Sequence, residues 1–183
     1  MLRLLDIVLS VLGLVTTSPL LIFICAIVYI EEGQPIFRQM RLGRHRQPFA
    51  LYKFRTMHRG TPETASHLVK SSAITRIGVL LRRSKLDELP QLWNVLRGEM
   101  SFVGPRPCLL TQNQLIASRD ALGVFKVRPG ITGLAQISGI DMSDPDKLVL
   151  VEAQMIHGLN LATYLKFIFL TLVGRGGGDR VRS

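Results

Sequence analysis

IVLSVLGLVTTSPLLIFICAIVYI, residues Ile7 to Ile30, is the stretch whose reading decides the fold. Only Ser10, Gly13, Thr16, Thr17, Ser18 and Pro19 interrupt the apolar run, and about 20 such residues make a membrane helix. A cleaved signal peptide is the competing reading. Against it, the only basic residue ahead of the run is Arg3, offset by Asp6, and Glu31-Glu32-Gly33 follows where a small-residue cleavage site would stand. Residues 1–32 are therefore read as a retained membrane helix. The run would extend about 36 Å at 1.5 Å per residue, enough to span. Pro19 removes the bond to the Val15 carbonyl and clashes with it, so a bend is expected there, and Ser18 can re-satisfy the freed backbone groups. Each half then extends about 18 Å, short of a ~30 Å hydrocarbon layer. A helix that enters and leaves one leaflet and a kinked spanning helix both fit this arithmetic. Either way, the following basic run marks the cytoplasmic side: Arg38, Arg41, Arg44, Arg46, Lys53, Arg55 and Arg59, with no acid among them.

The whole chain has 183 residues and a formal net charge of +10. That length suits one domain with a real core, and the charge calls for an anionic partner such as a lipid headgroup, nucleotide or nucleic acid. Two cysteines, Cys25 and Cys108, make neither a disulfide framework nor a metal-ligand cluster. No helix-turn-helix or zinc signature supports a nucleic-acid module. The four histidines show no ligand spacing and read as structural or surface residues.

After the membrane segment, residues 33–174 read as one compact cytoplasmic domain. Ile36–Arg41 and Phe49–Met57 are expected to form a β-hairpin around a Gly43–Pro48 turn. Lys53 and Arg55, interleaved with aromatic residues, suit contact with nucleotide or anionic headgroups as well as a solvated basic edge. Arg59–Ser72 is polar, with a short helix expected near Glu63–Val69. Helices are expected over Ile74–Arg83, Asp87–Leu96, Leu109–Ala121 and Asp144–Ile156, the last capped by Ser143 or Asp144 with Pro145 in its first turn. Leu89, Leu92, Trp93 and Leu96 would form the apolar face of the second, with Trp93 in the core. Val127–Gly139, punctuated by glycine and proline, reads as a structured loop. Leu159–Val173 is too short to span and carries Lys166, so it is a core helix or one lying in the membrane interface. Residues 175–183 read as a flexible basic tail. The fold class is mostly α with a small β-hairpin.

Chemistry concentrates in SKLDELPQLWNVLRGEMSFVGPRP, Ser84 to Pro107. Asp87 and Glu88 could both reach one small site, such as a phosphate with its metal. A plain helix cap, with Ser84 as its first residue, explains the same letters, although Pro90 would break that ladder. In Gly104-Pro105-Arg106-Pro107, two prolines fix the backbone around one guanidinium, which suits bidentate phosphate recognition. Arg128-Pro129-Gly130-Ile131-Thr132-Gly133 could cradle an anion with its arginine and N–H groups.

Together these residues resemble the bacterial sugar transferase family, the monotopic phosphoglycosyl transferases. The resemblance runs from Arg3-Leu4-Leu5-Asp6 to about Val173. It includes Ser18-Pro19, Tyr52-Lys53-Phe54-Arg55-Thr56-Met57, the run from Leu81 to Leu92, Asn94-Val95-Leu96, the run from Gly98 to Pro107, and Val127 to Gly133. It implies transfer of a sugar-1-phosphate from a UDP-sugar to undecaprenyl phosphate, with UMP as the other product, at the cytoplasmic face of a bacterial inner membrane. Asp87 would be the covalent nucleophile, Glu88 its partner in metal or proton handling, and Mg²⁺ the required ion held by Asp87 and Glu88. Arg106, Arg82 and Arg128 would bind phosphate. Lys53, Arg55, Thr132 and Gln136 are candidates for nucleotide or sugar contact. The resemblance also favours the re-entrant helix broken at Ser18 and Pro19, interfacial amphipathic helices, and a chain that is the catalytic core of larger relatives. Leu134 and Ser138-Gly139-Ile140-Asp141 depart from the family pattern and leave the sugar open, with an N-acetylated hexosamine expected. The oligomeric state is open, a dimer being one option.

Overall fold

The computed structural model describes residues 1–62 and 71–174. The short helix expected near Glu63–Val69 and the tail expected over 175–183 lie outside the described residues.

Leu2–Glu32 forms a single helix, α1, of 31 residues, long and apolar enough to cross a membrane. Its helical assignment runs on through Pro19, the site of the expected bend. The local chemistry explains this. Pro19 leaves the Val15 carbonyl without its helical N–H, and the Ser18 hydroxyl donates to that same carbonyl at 2.8 Å. The Thr17 hydroxyl also donates to the Gly13 carbonyl one turn back, at 2.6 Å. Gly33 ends the helix in the left-handed conformation, φ 72°, its N–H returning to Tyr29.

Most of α1 presents exposed apolar side chains, among them Val11, Leu12, Val15, Ile22 and Phe23. Its two ends are different, because both dock on the rest of the chain. Near the start, Arg3 donates to the Val95 and Leu96 carbonyls at 2.6 and 2.9 Å. Asp6, buried, accepts from the Ser101 hydroxyl, the Phe102 N–H and the Tyr164 hydroxyl. Near the end, Ile24 and Val28 pack with Phe54 and Leu81, and Glu32 binds His58 and the Arg59 N–H.

The expected hairpin forms from β1 (Ile36–Leu42) and β2 (Pro48–Phe54), paired antiparallel from Ile36 opposite Phe54 to Leu42 opposite Pro48. β2 stops at Phe54 instead of Met57; Met57 instead makes an isolated bridge to Ile74. Phe49 and Leu51 pack on Val95 and Met100, whereas Phe54 faces α1 and Leu81, so β2 is covered on both faces.

Helices α2 (Arg76–Ser84) and α3 (Gln91–Arg97) replace the expected Ile74–Arg83 and Asp87–Leu96. Thr75 caps α2 by accepting from the Gly78 N–H. Ser84 is not a cap: it closes α2, its hydroxyl donating back to Leu80 at 2.8 Å. Lys85 takes the left-handed conformation, φ 59°, and Leu86–Glu88 makes one 3₁₀ turn. Because α3 starts only after Pro90, its buried face is Gln91, Leu92, Asn94 and Val95. Trp93, expected in the core, is 49% exposed.

A second sheet, absent from the expected fold class, pairs β3 (Ser101–Val103) in parallel with β4 (Gly130–Thr132), and β4 lies inside the stretch read as a loop. α4 (Asn113–Ala121) begins four residues later than expected. A short α5 (Leu134–Ile137) follows β4. α6 (Pro145–His157) is capped by Asp144 as anticipated, and α7 (Leu161–Leu172) by Asn160. Leu115, Ile116, Leu148 and Val149 form the core between α4 and α6, while Tyr164 and Phe167 of α7 join Val103 and Met155.

Candidate active site

The 3₁₀ turn between α2 and α3 carries both acids of the motif. Three residues per turn send neighbouring side chains about 120° apart, and Asp87 and Glu88 accordingly enter adjoining pockets. Asp87 is 5% exposed and lines an open pocket of about 680 Å³, solvent-facing space included, whose walls also carry Arg41, Lys53, Arg55 and Arg82. Glu88 enters a smaller pocket with Lys53, Gln91, Arg106 and Pro107. Its Oε1 accepts from Lys53 Nζ at 3.1 Å and from Arg106 Nη2 at 3.3 Å. Lys53, Arg41 and Leu51 border both pockets.

The surrounding fold sets these positions. Lys53 lies on β2, and Asn94 docks β2 to α3: its amide donates to Ala50 at 2.7 Å and its carbonyl accepts from the Tyr52 N–H at 3.1 Å. Arg82 on α2 reaches Thr56 at 3.3 Å. The Pro105–Pro107 turn is braced by β4, because the Gly130 N–H donates to Pro105 at 2.8 Å and the Gly104 N–H to Thr132 at 2.9 Å. A Cβ on Gly130 would sit 2.0 Å from the Gly104 nitrogen. The two glycine-proline motifs are thus packed backbone to backbone.

Five of the expected site residues gather here with the acids or against them: Lys53, Arg55, Arg82 and Arg106 around Asp87 and Glu88, and Gln136 at one remove, its amide donating to Gly104 at 3.4 Å. Arg55 also holds Gln34 and stacks 5.5 Å from the Phe37 ring centre. Arg128 and Thr132 are elsewhere. Arg128 donates to the Gly98 carbonyl at the end of α3 at 2.8 Å, and Thr132 bonds Thr171 of α7.

Four residues in and around the site were not singled out from the sequence, two of them as a pair. Arg41 was counted only within the basic run; it reaches the Pro107 carbonyl at 3.2 Å. His58 lines the larger pocket and bonds Glu32 at 2.7 Å. Arg119 of α4 and Glu152 of α6 form a buried ion pair, at 2.6 and 2.9 Å. The last had a readable signal: Arg119 follows Leu115 and Ile116 at helical spacing, and Glu152 follows Leu148 and Val149 in the same way. Each places a charge on an apolar face, which demands a partner.

Residues 1–175 match the family model described as bacterial sugar transferase. Among similar proteins, the Bacillus subtilis protein named Uncharacterized sugar transferase EpsL is 37% identical over 171 residues, covering 93% of this chain and 84% of the relative. A UDP-glucose:undecaprenyl-phosphate glucose-1-phosphate transferase of Klebsiella pneumoniae is 38% identical over 182 residues, covering 93% of this chain but 39% of the relative. An undecaprenyl-phosphate galactose phosphotransferase of Salmonella typhimurium is 34% identical over 187 residues, covering 92% and 39%.

Proposed function

The chain belongs to the bacterial sugar transferase family, and from that membership we propose that it moves a sugar-1-phosphate from a UDP-sugar to undecaprenyl phosphate, with Asp87 as nucleophile. The observation that carries this reading is the position of Asp87. It is a buried carboxylate opening onto a pocket walled by Arg41, Lys53, Arg55 and Arg82, while its neighbour Glu88 is held by Lys53 and Arg106.

In this mechanism the Asp87 carboxylate attacks the phosphorus that carries the sugar. A carboxylate–phosphorus bond forms, the bridging P–O bond breaks, and UMP departs with the electron pair. The lipid phosphate oxygen then attacks the same phosphorus and releases Asp87 as a free carboxylate. Division of one displacement into two is the advantage of a covalent route. Phosphoryl transfer rests mainly on positioning and charge neutralisation, which Arg82, Lys53 and Arg106 are placed to supply around the transferring group.

The donor set also suits magnesium. Among the described residues no group of three or more His, Cys, Asp or Glu side chains gathers as a metal cage. Mg²⁺ is commonly bound by one or two carboxylates with substrate phosphates and water completing its shell, and Asp87 with Glu88 offers that minimal set. When bound, the ion would polarise a phosphoryl oxygen and neutralise developing charge.

A monotopic, re-entrant placement in the cytoplasmic leaflet is part of the proposal. Its support is that both ends of α1 dock on the rest of the chain: the first turns, through Arg3 and Asp6, on α3, β3 and α7, and the last turns, through Ile24, Val28 and Glu32, on β2, α2 and the segment after β2. A perpendicular span would carry one end away from them. A cysteine at position 2 should be labelled by a thiol probe only from the cytoplasmic side; labelling only from the far side would refute this topology.

Incubation with UDP-sugar alone should leave a phosphosugar on Asp87 in intact-mass spectra, and Asp87→Asn should abolish it. Turnover with lipid by a wild-type enzyme that never carries this mass would overturn the covalent route. For the sugar, the resemblance suggests an N-acetylated hexosamine, while relatives are named for glucose and galactose. A UMP-release screen across those UDP-sugars separates them.

A further inference from the structure

Pro105-Arg106-Pro107 contains a single backbone N–H, because proline has none. Each backbone polar group of the tripeptide has a partner. The Pro105 carbonyl accepts from Gly130 and the Pro107 carbonyl from Arg41. The two groups of Arg106 itself are treated differently. Its carbonyl accepts from Arg119 Nη2 at 2.9 Å, and its N–H faces the Glu152 carboxylate, favouring that group's charged form. Arg119 and Glu152 are each 1% exposed and also bond each other.

A buried ion pair is a poor device for stability alone, since apolar residues of similar volume often replace one without loss. The helices that carry this pair already share an apolar core of Leu115, Ile116, Leu148 and Val149. What apolar residues could not do is meet a peptide N–H and a peptide carbonyl with opposite charge. Resting on the proposed role of Arg106 at the phosphate site, we propose that Arg119 and Glu152 are positioning residues: as one ion pair they clamp both backbone groups of Arg106 and so aim its guanidinium at Glu88, beside Asp87. The neighbouring prolines leave the backbone few other conformations, so the clamp fixes the direction in which the side chain leaves the turn.

The test uses the full chain in lipid nanodiscs. The double variant Arg119→Met with Glu152→Met replaces the pair by apolar side chains. Hydrogen exchange should show α4 and α6 still protected while the Arg106 amide exchanges at least about tenfold faster. The kcat/KM for UMP release should fall as far as in Arg106→Ala, and the triple variant should be no worse than Arg106→Ala alone. Unchanged exchange at Arg106, or losses that multiply in the triple variant, would overturn the proposal. Should the double variant fail to fold, the charge swap Arg119→Glu with Glu152→Arg keeps an ion pair but turns each charge toward the wrong peptide group. It should show the same rise in exchange, and wild-type protection there would equally refute the clamp. The exchange measurement needs no turnover, so failure of the transferase reading would show as absent UMP release in the wild type and leave this outcome decidable.

Discussion

Lys53 Nζ lies 3.1 Å from Glu88 Oε1, and Arg106 reaches the same oxygen at 3.3 Å. One carboxylate therefore joins the hairpin to the Pro105–Pro107 turn, and Lys53 belongs to the surroundings of Glu88 as much as to the basic edge of the hairpin. Lys53→Met should lower kcat for UMP release by about 10²-fold, the scale of losing one preorganised charge stabiliser. Because Arg106 still meets Glu88, stability should fall by only about 1–2 kcal/mol. Steady-state kinetics with thermal unfolding of the same preparation checks both. A proportionate loss of fold and rate would mean that Lys53 is structural.

Gly130 is where β4 meets Gly104 with no room for a side chain, a Cβ there standing 2.0 Å from the Gly104 nitrogen. Gly130→Ala should cost about 3 kcal/mol or more, as overpacking against backbone does, and should displace the Arg106 turn, so UMP release should fall with it. Gly158→Ala is the control: its nearest atom would be the Gln154 carbonyl at 3.6 Å, and a change within about 0.5 kcal/mol is expected. Thermal melts of the two variants make the comparison.

Tyr164 of α7 donates to the buried Asp6 carboxylate. Burial first, and then that carboxylate, raise the phenol above its ordinary pKa of 10.0. The folded state therefore keeps the proton where the unfolded chain begins to lose it, and stability falls as pH rises above about 10. Tyr164→Phe has no such proton. Its stability deficit relative to wild type should be constant below pH 10 and should narrow above it. Denaturation midpoints of both proteins at pH 8 and pH 11 test this; a gap that widens would contradict the assignment.

Trp93 and Met100 sit close in sequence but differ in burial, Trp93 being about half exposed and Met100 fully enclosed. Met100→Ala should cost about 2–5 kcal/mol as a core truncation. Trp93→Ala should cost less than about 1 kcal/mol, as surface positions do. Equal losses in detergent would place the tryptophan back in a core.

Several features were legible because their causes are local. The apolar run of α1, the Ser18 hydroxyl taking over the Val15 carbonyl, the hairpin and the Asp144 cap each depend on residues within a few positions of one another. Trp93 was misplaced because Pro90 delays the helix start, which rotates the buried face onto Gln91, Leu92, Asn94 and Val95. The parallel pairing of β3 with β4 left no local trace, since each strand is three residues long and its partner lies far along the chain.

The amino-acid sequence by itself determined the membrane segment, the mostly helical domain behind it and the Asp87-Glu88 motif with its arginine-bearing turns, because composition, period and punctuation act over short distances. Only the tertiary structure decided which cations meet which acids. Lys53 reaches Glu88 across 35 residues and Arg119 reaches Glu152 across 33. Tertiary structure also decided that both ends of α1 return to one domain. Such pairings form when the chain closes long loops around a shared core, and the favourable burial that selects them is a property of the packed whole.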